Sequence, residues 1–365
     1  MTTVEKSPIV EQILAALRNV RDPDLGRDIV SLGFVKNIEV SSGKADVTIE
    51  LTTPACPVKD KMKEEAHQLV LSVPGIREAN VTMTAQVRAT AGPSSSQFLP
   101  GVRNTIAIAS GKGGVGKSTV SANLALALQR SGASVGLLDA DIYGPSIPTI
   151  LGITAKPAAT ERNFLIPVQQ YGVKVISVGF FIGEEDAVIW RGPMLNKLLD
   201  QFLGTVEWGD LDYLVIDLPP GTGDIQLSLC QKIPLAGAII VSTPQDVALK
   251  VAQKAITMFR KLNTPVLGMI ENMSYFICGH CGQREEIFGS GGAEKAAQRL
   301  DIPFLGKIPL VTSLRASSDS GRPEIIDNAQ SPVAQAFIHV AENMAAQISI
   351  AAMKGEVGQE VKISF

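Results

Sequence analysis

The chain has 365 residues, enough for one large domain and a small one. A formal charge of -3 offers no bulk attraction to nucleic acid, and no apolar run reaches the roughly 18–20 residues of a membrane span. Hydrophobic residues make up 45% but aromatics only 5%, the aliphatic-rich content of an α/β protein with a buried parallel sheet. Cys56, Cys230, Cys278 and Cys281 are too few for a disulfide framework. The start, Met1-Thr-Thr-Val-Glu-Lys6, has neither a signal-peptide core nor an acid-poor transit composition. The expected compartment is therefore a reducing cytoplasm, with neither nucleic acid nor membrane as partner.

Ser7 to Asn19 carries Ile9, Ile13, Leu14 and Leu17 at helical spacing, with Pro8 suited to the first helical position. Two strand-like runs follow, Phe34 to Val40 and Ala45 to Leu51, with Ser41-Ser-Gly-Lys44 as the hairpin turn. A second helix is predicted from Val58 to Ser72 and a last strand from Ala79 to Val87. Together these make a small α+β domain over 1–88. Its Cys56 sits between two prolines just ahead of a helix, where a thiol becomes a better ligand or nucleophile. The run D-P-D-L-G-R-D-I-V-S-L-G at 22–33 and T-T-P-A-C-P at 52–57 resemble the small domain of iron–sulfur assembly factors. That resemblance makes Cys56 a candidate for cluster handling; read alone, the thiol is as well explained as structural. Residues 89–101, with Gly-Pro-Ser-Ser-Ser at 92–96, read as a flexible linker.

The second domain, expected over 102–353, opens with Asn104-Thr-Ile-Ala-Ile-Ala-Ser110, a buried strand by its composition. Gly111-Lys-Gly-Gly-Val-Gly-Lys-Ser-Thr119 comes next and satisfies G-x-x-x-x-G-K-[ST], with an amphipathic helix from Val120 to Arg130 behind it. Strand, glycine loop and helix in that order make a phosphate cradle. Amides of Gly113, Gly114, Val115 and Gly116 can turn toward phosphate oxygens, and the helix N-terminus adds positive potential. Lys117 would reach the β- and γ-phosphates, and the Ser118 hydroxyl would hold Mg²⁺, beside Thr119. Lys112 is a second lysine that an ordinary phosphate loop does not need. A cation there could act across a subunit boundary on a transferring phosphoryl group. The G-K-G-G-V-G-K-S-T form resembles the deviant phosphate loop of the MinD, ArsA and nitrogenase iron-protein class, which implies a nucleotide-sandwiched dimer.

Ala133 to Leu138 is a second buried strand, ending at Asp139-Ala-Asp-Ile-Tyr-Gly-Pro-Ser146. Carboxylates at the carboxyl end of a parallel strand face the ligand crevice of a doubly wound sheet. By resemblance to the same ATPase class, Asp141 belongs near the attacking water, with Asp139 as its structural or Mg²⁺-linked neighbour. Residues 155–165 read as an exposed insertion and Val173 to Val178 as a strand. Arg191, in Trp190-Arg-Gly-Pro-Met194, is a candidate contact to nucleotide or partner, or equally a surface ion pair. Asp212-Tyr-Leu-Val-Ile-Asp217 and the following Leu-Pro-Pro-Gly-Thr-Gly-Asp224 read as a Walker B strand and switch loop, with Asp217 holding Mg²⁺.

A strand from Ala236 to Thr243 and a helix from Asp246 to Leu262 precede a strand predicted from Val266 to Glu271. Asn272, next in line, matches the adenine-contacting asparagine of the class, so ATP is preferred over GTP. Cys278-Gly-His-Cys281 can place two sulfurs on one metal centre. Such a centre wants four ligands, and a symmetric dimer would supply two from each copy. A bridging [4Fe–4S] cluster, a bridging zinc and a redox disulfide all remain open on the residues alone, with His280 as a neighbour of the ligands. Cys230, in a helical apolar run, reads as a packed hydrophobe. A last strand at Phe304 to Pro309, a helix from Ser331 to Ala352 and a tail over 354–365 complete the chain.

Taken together, G-K-G-G-V-G-K-S-T, D-A-D-I-Y-G-P-S, D-L-P-P-G-T-G-D, I-E-N-M-S and C-x-x-C resemble the Mrp/ApbC family of iron–sulfur cluster carriers. The resemblance implies a doubly wound, mostly parallel phosphate-loop ATPase domain behind the small α+β domain. It further implies a homodimer that uses ATP and Mg²⁺, takes a labile [4Fe–4S] cluster from a scaffold and passes it to apo-proteins. A positioning or partitioning ATPase and a zinc-bridged ATPase dimer are the competing functions.

Overall fold

The computed structural model describes residues 7–90, 99–181, 202–233 and 235–354. Arg191, residues 91–98 of the linker expected over 89–101 and the tail beyond Lys354 lie outside them. The chain divides into two compact units, 1–88 and 89–365.

In the first unit, α1 (Pro8–Leu17) is followed by β1 (Val35–Ser41), β2 (Lys44–Leu51), α2 (Lys59–Leu71) and β3 (Glu78–Ala85). The strands lie in the order β1-β2-β3, antiparallel then parallel. Ser42 and Gly43 both have positive φ, 51° and 84°, the two-residue turn that matches strand twist. Alternate residues of β2, Ala45, Val47, Ile49 and Leu51, are buried, and Ile13, Leu17 and Val70 are buried on the helices. Cys56 sits half-buried in the β2–α2 connection, and its carbonyl accepts from the Lys59 N–H at 3.3 Å.

The second unit is built on a nine-stranded sheet. Its elements in chain order begin with β4 (Val102–Ser110), α3 (Lys117–Arg130), β5 (Val135–Asp139) and α4 (Ile147–Leu151). A small ribbon, β6 (Ala158–Ala159) with β7 (Leu165–Ile166), leads to β8 (Val168–Gln170) and β9 (Val173–Ser177). Then come β10 (Leu211–Asp217), α5 (Asp224–Lys232), β11 (Leu235–Ser242), α6 (Asp246–Lys261), β12 (Val266–Ile277) and β13 (Arg284–Glu285). The unit closes with α7 (Gly292–Arg299), β14 (Phe304–Leu310), α8 (Thr312–Ser320), α9 (Glu324–Asp327) and α10 (Pro332–Lys354). The sheet order is β13-β12-β11-β4-β10-β5-β9-β8, with β14 also on β12; every pair is parallel except β12–β13 and β8–β9.

Parallel strands covered on both sides lose the polar alternation, so β5 and β11 are buried at every residue. The chain leaves β4 for β5 by stepping over the place β10 later takes, and β11 lies on the other side of β4. The order therefore reverses at β4, and the crevice at such a reversal is where doubly wound sheets bind ligands. Two sequence expectations need correction. The helix behind the glycine loop starts at Lys117, not Val120, because Lys117 and Ser118 are already its first turn. The strand expected to stop at Glu271 runs on to Ile277, because its last residues pair with β13. No helix of the described residues is long and apolar enough to cross a membrane.

Candidate functional site

The glycine loop wraps the N-terminus of α3, and two of its glycines are sterically required. A Cβ on Gly111 would lie 2.5 Å from the backbone N of Ala252 on α6, and one on Gly116 would lie 2.3 Å from Asn272 Nδ2. Gly116 also has φ 77°, a left-handed conformation that β-carbons disfavour. Lys112 through Thr119 line an open cavity of about 430 Å³, together with Ser110 and Asp141.

Behind the loop, register brings the acidic residues together. Asp217 at the end of β10 is the direct neighbour of Asp139 at the end of β5. Lys117 Nζ stands 2.8 Å from Asp217 Oδ1 and 3.5 Å from Asp141 Oδ2, and the Lys117 side chain is 6% exposed. The Ser118 hydroxyl donates to Asp217 Oδ2 at 2.6 Å. Ser118 oxygen and Asp217 carboxylate are thus adjacent hard donors, of the kind that could hold Mg²⁺. Asp139 is fully buried and accepts from Ile147 N–H at 3.2 Å and the Ser177 hydroxyl at 2.9 Å on one oxygen, and from Asp141 N–H at 3.2 Å on the other. It ties β5, β9 and the start of α4 to one point. Burial pushes its carboxyl up to about 7, and the neighbouring Asp217 charge adds to the rise. Burial likewise raises Asp141, against the lowering pull of Lys117.

Several site residues carry no motif signal. Ser121 donates to Asp217 Oδ1 at 2.6 Å, one turn along α3 from Lys117. Helical spacing from the motif lysine could have singled it out. Thr149, Ile150, Ser318 and Asp319 also line the cavity, brought in by α4 and α8 from far along the chain. Asn272 is 4% exposed, and its Nδ2 donates to the Val115 carbonyl at 2.8 Å, so one amide atom is committed to the glycine loop itself.

Beyond Asn272, β12 continues into a hairpin whose tip is Cys278-Gly-His-Cys281. Phe276 and Ile277 pair with Glu285 and Arg284. Cys278 N–H donates to Gln283 O at 2.9 Å, and Gly282, at φ 71°, returns its N–H to Cys278 O at 2.8 Å. The Arg284 guanidinium lies 3.8 Å from the centre of the Tyr275 ring, bracing the two strands. Cys278 is half-buried and Cys281 exposed. The backbone N–H groups of Cys281 and His280 hold the Cys278 thiol below its ordinary pKa, which favours the thiolate that binds metals. Cys230, in contrast, is 3% exposed in the core, and burial pushes its thiol up to about 12.

Comparison with known proteins gives the family. Residues 101–345 match the family model of the ParA-type NUBPL iron-transfer P-loop NTPases, and residues 10–83 match that of the iron–sulfur cluster assembly proteins. The iron–sulfur cluster carrier protein of Deinococcus radiodurans is 48% identical over 341 residues, covering 93% of this chain and 96% of its own. That of Synechocystis sp. is 44% identical over 348 residues, covering 94% of this chain and 99% of its own. Among solved structures, a nucleotide-binding protein from Archaeoglobus fulgidus in complex with ADP superposes with a TM-score of 0.57 at 43% identity, over 66% of this chain and 94% of its own. The chain therefore belongs to the NUBPL iron-transfer P-loop NTPases, the family of the iron–sulfur cluster carriers that its motifs resemble.

Proposed function

We propose that the protein is an ATP-hydrolysing homodimer that carries a [4Fe–4S] cluster between Cys278 and Cys281 of one copy and the same pair of a second. One observation carries this reading. The two thiols stand at an accessible hairpin tip, and no group of three or more His, Cys, Asp or Glu among the described residues could hold a metal. A cubane needs about four protein ligands, so two thiolates from each of two chains complete it. Half a donor set per copy also leaves the cargo removable, as delivery to an apo-protein requires. A cluster scaffold would be the donor.

In the nucleotide site, the loop amides from Gly111 to Thr119 hold the phosphates. Lys117 shifts from its carboxylate partners to the β- and γ-phosphates. Ser118 and Asp217 would hold Mg²⁺, which when bound offsets the charge on the phosphates. Asp141 accepts a hydrogen bond from the attacking water. The water oxygen bonds to the γ-phosphorus as the bond to the β-phosphate oxygen breaks, and the proton passes to the released phosphate and solvent. Lys112, half-buried on the cavity wall, reaches the transferring phosphoryl group of the opposing copy. Asn272 keeps its oxygen for the adenine amino group. Nucleotide state alters cluster affinity only if the two states bind the cluster unequally.

The test is anaerobic reconstitution with iron and sulfide, iron counted per dimer and Mössbauer spectra recorded. About four irons per dimer, lost in both Cys278→Ala and Cys281→Ala, is the expected result. Zinc alone would turn the reading to a structural metal dimer. Iron uptake indifferent to both substitutions would return the protein to the positioning ATPases.

A further inference from the structure

The twelve residues of β12 are two pieces joined by a bend. Its register with β14 shifts between Asn272 and Phe276, and Met273 between them has φ 55°. Left-handed backbone in a residue with a long side chain persists only where the surroundings hold it. Here they do so from both sides. Asn272 donates to the Val115 carbonyl of the glycine loop at 2.8 Å. Glu271, fully buried, accepts from Gly291 N–H at 2.8 Å, Ala293 N–H at 2.7 Å and the Ser274 hydroxyl. The Ser274 hydroxyl also lies 3.2 Å from that of Ser290.

Ser274 is where the chain leaves for the cysteine hairpin, and Ser290 and Gly291 are where it returns. Residues 275–289 are therefore a closed excursion tied at its neck to Glu271, and the next residue is tied to the phosphate-binding loop. We infer that residues 271–274 clamp the cysteine excursion to the phosphate loop, with Glu271 and Ser274 as positioning residues that transmit nucleotide occupancy to Cys278 and Cys281. The inference rests on the reading of these cysteines as the cargo ligands.

The physical basis is the cost of leaving a buried polar group unpaired. When phosphates engage the amides around Val115, its carbonyl turns, and the buried Asn272 amide follows to keep its partner. A packed bend has discrete arrangements rather than a continuum, so motion at Asn272 re-aims the strand beyond Met273. The Glu271 clamp makes the two ends of the excursion move together, so both cysteines are displaced as a unit.

The experiment uses the full-length, reduced, metal-free protein. Iodoacetamide modification of Cys278 and Cys281 is followed by peptide mass spectrometry with and without Mg·ATP, and buried Cys230 serves as the internal control. In wild type the nucleotide is expected to change the modification rate of the pair about fivefold or more. In Ser274→Ala and in Glu271→Gln that ratio falls toward one, while calorimetric ATP affinity stays at the wild-type value. A wild-type ratio of one with nucleotide bound, or full retention of the ratio in both variants, overturns the inference. Should Glu271→Gln lose its cooperative melt, the Ser274→Ala ratio alone decides. Iron loading of the same preparations separates the two readings. Failure to load at the cysteines sinks the cargo assignment and leaves the ratio to be judged by itself.

Discussion

At the carboxyl end of β4, one chain supplies a glycine-loop cradle with its polar groups paired inward. Lys117, Ser118, Ser121 and Asp217 interlock within 3.3 Å, behind Gly111 and Gly116, where a Cβ would clash. At the carboxyl end of β12, two strands away in the same sheet, the same chain supplies two thiols on a narrow hairpin, one of them exposed. Under the proposed function, the difference follows from what each site would have to do. Phosphoryl chemistry gains from preorganised charges in a water-poor crevice. A delivered cargo needs an accessible, incomplete ligand set, because a cage closed within one chain would not release it.

Crossed substitutions give the largest test of that division. Cys278→Ser with Cys281→Ser is expected to abolish bound iron while phosphate release stays at the wild-type rate. Lys117→Ala should do the reverse, lowering phosphate release about 10²–10³-fold with iron content retained. If either substitution removed both properties, the two sites would be a single structural unit and the contrast would be wrong.

A finer test lies inside the cradle. Ser121→Ala removes a hydrogen bond to the fully buried Asp217 carboxylate and should cost about 2 kcal/mol, read as a lower urea midpoint with unchanged slope. Stability equal to wild type would mean that Lys117 and Ser118 satisfy Asp217 without it.

The smallest effect concerns the thiols themselves. The thiolate is the reactive form, so a lowered pKa moves reactivity to lower pH. Cys278 modification in the metal-free protein should reach half its maximal rate at a lower pH than that of an ordinary exposed thiol. Cys230, pushed up to about 12 by burial, should stay unmodified over the same range. A Cys278 profile centred above the ordinary value would mean that the turn amides do not face its sulfur.

Much of this was legible because it is local. The order of strand, glycine loop and helix at 104–130 follows from composition and spacing, and the structure places β4, the loop and α3 there. The hairpin turn at Ser42-Gly43 was readable for the same reason, since positive φ at consecutive positions needs such residues. Helix α7 and the short α8 and α9 gave no comparable signal. They are brief, Gly292 opens α7, and α8 buries no side chain completely, so periodicity has little to report. The overrun of β12 past Asn272 was hidden because I-E-N-M-S reads as a strand end, while its continuation depends on a two-residue partner, Arg284–Glu285, across the hairpin.

By itself the sequence determined which residue types can do chemistry here: a glycine loop with two lysines, strand-terminal carboxylates at 139, 141 and 217, and a cysteine pair two residues apart. These are short-range properties, set by backbone freedom and by side-chain charge. Only the tertiary structure decided which of them meet. Parallel register put Asp217 beside Asp139, the helical turn brought Ser121 to Asp217, and the bend at Met273 set Asn272 against Val115 with Glu271 holding the return of the cysteine excursion. Such meetings join residues up to 157 positions apart, and only packing of the whole sheet, not any local pattern, selects them.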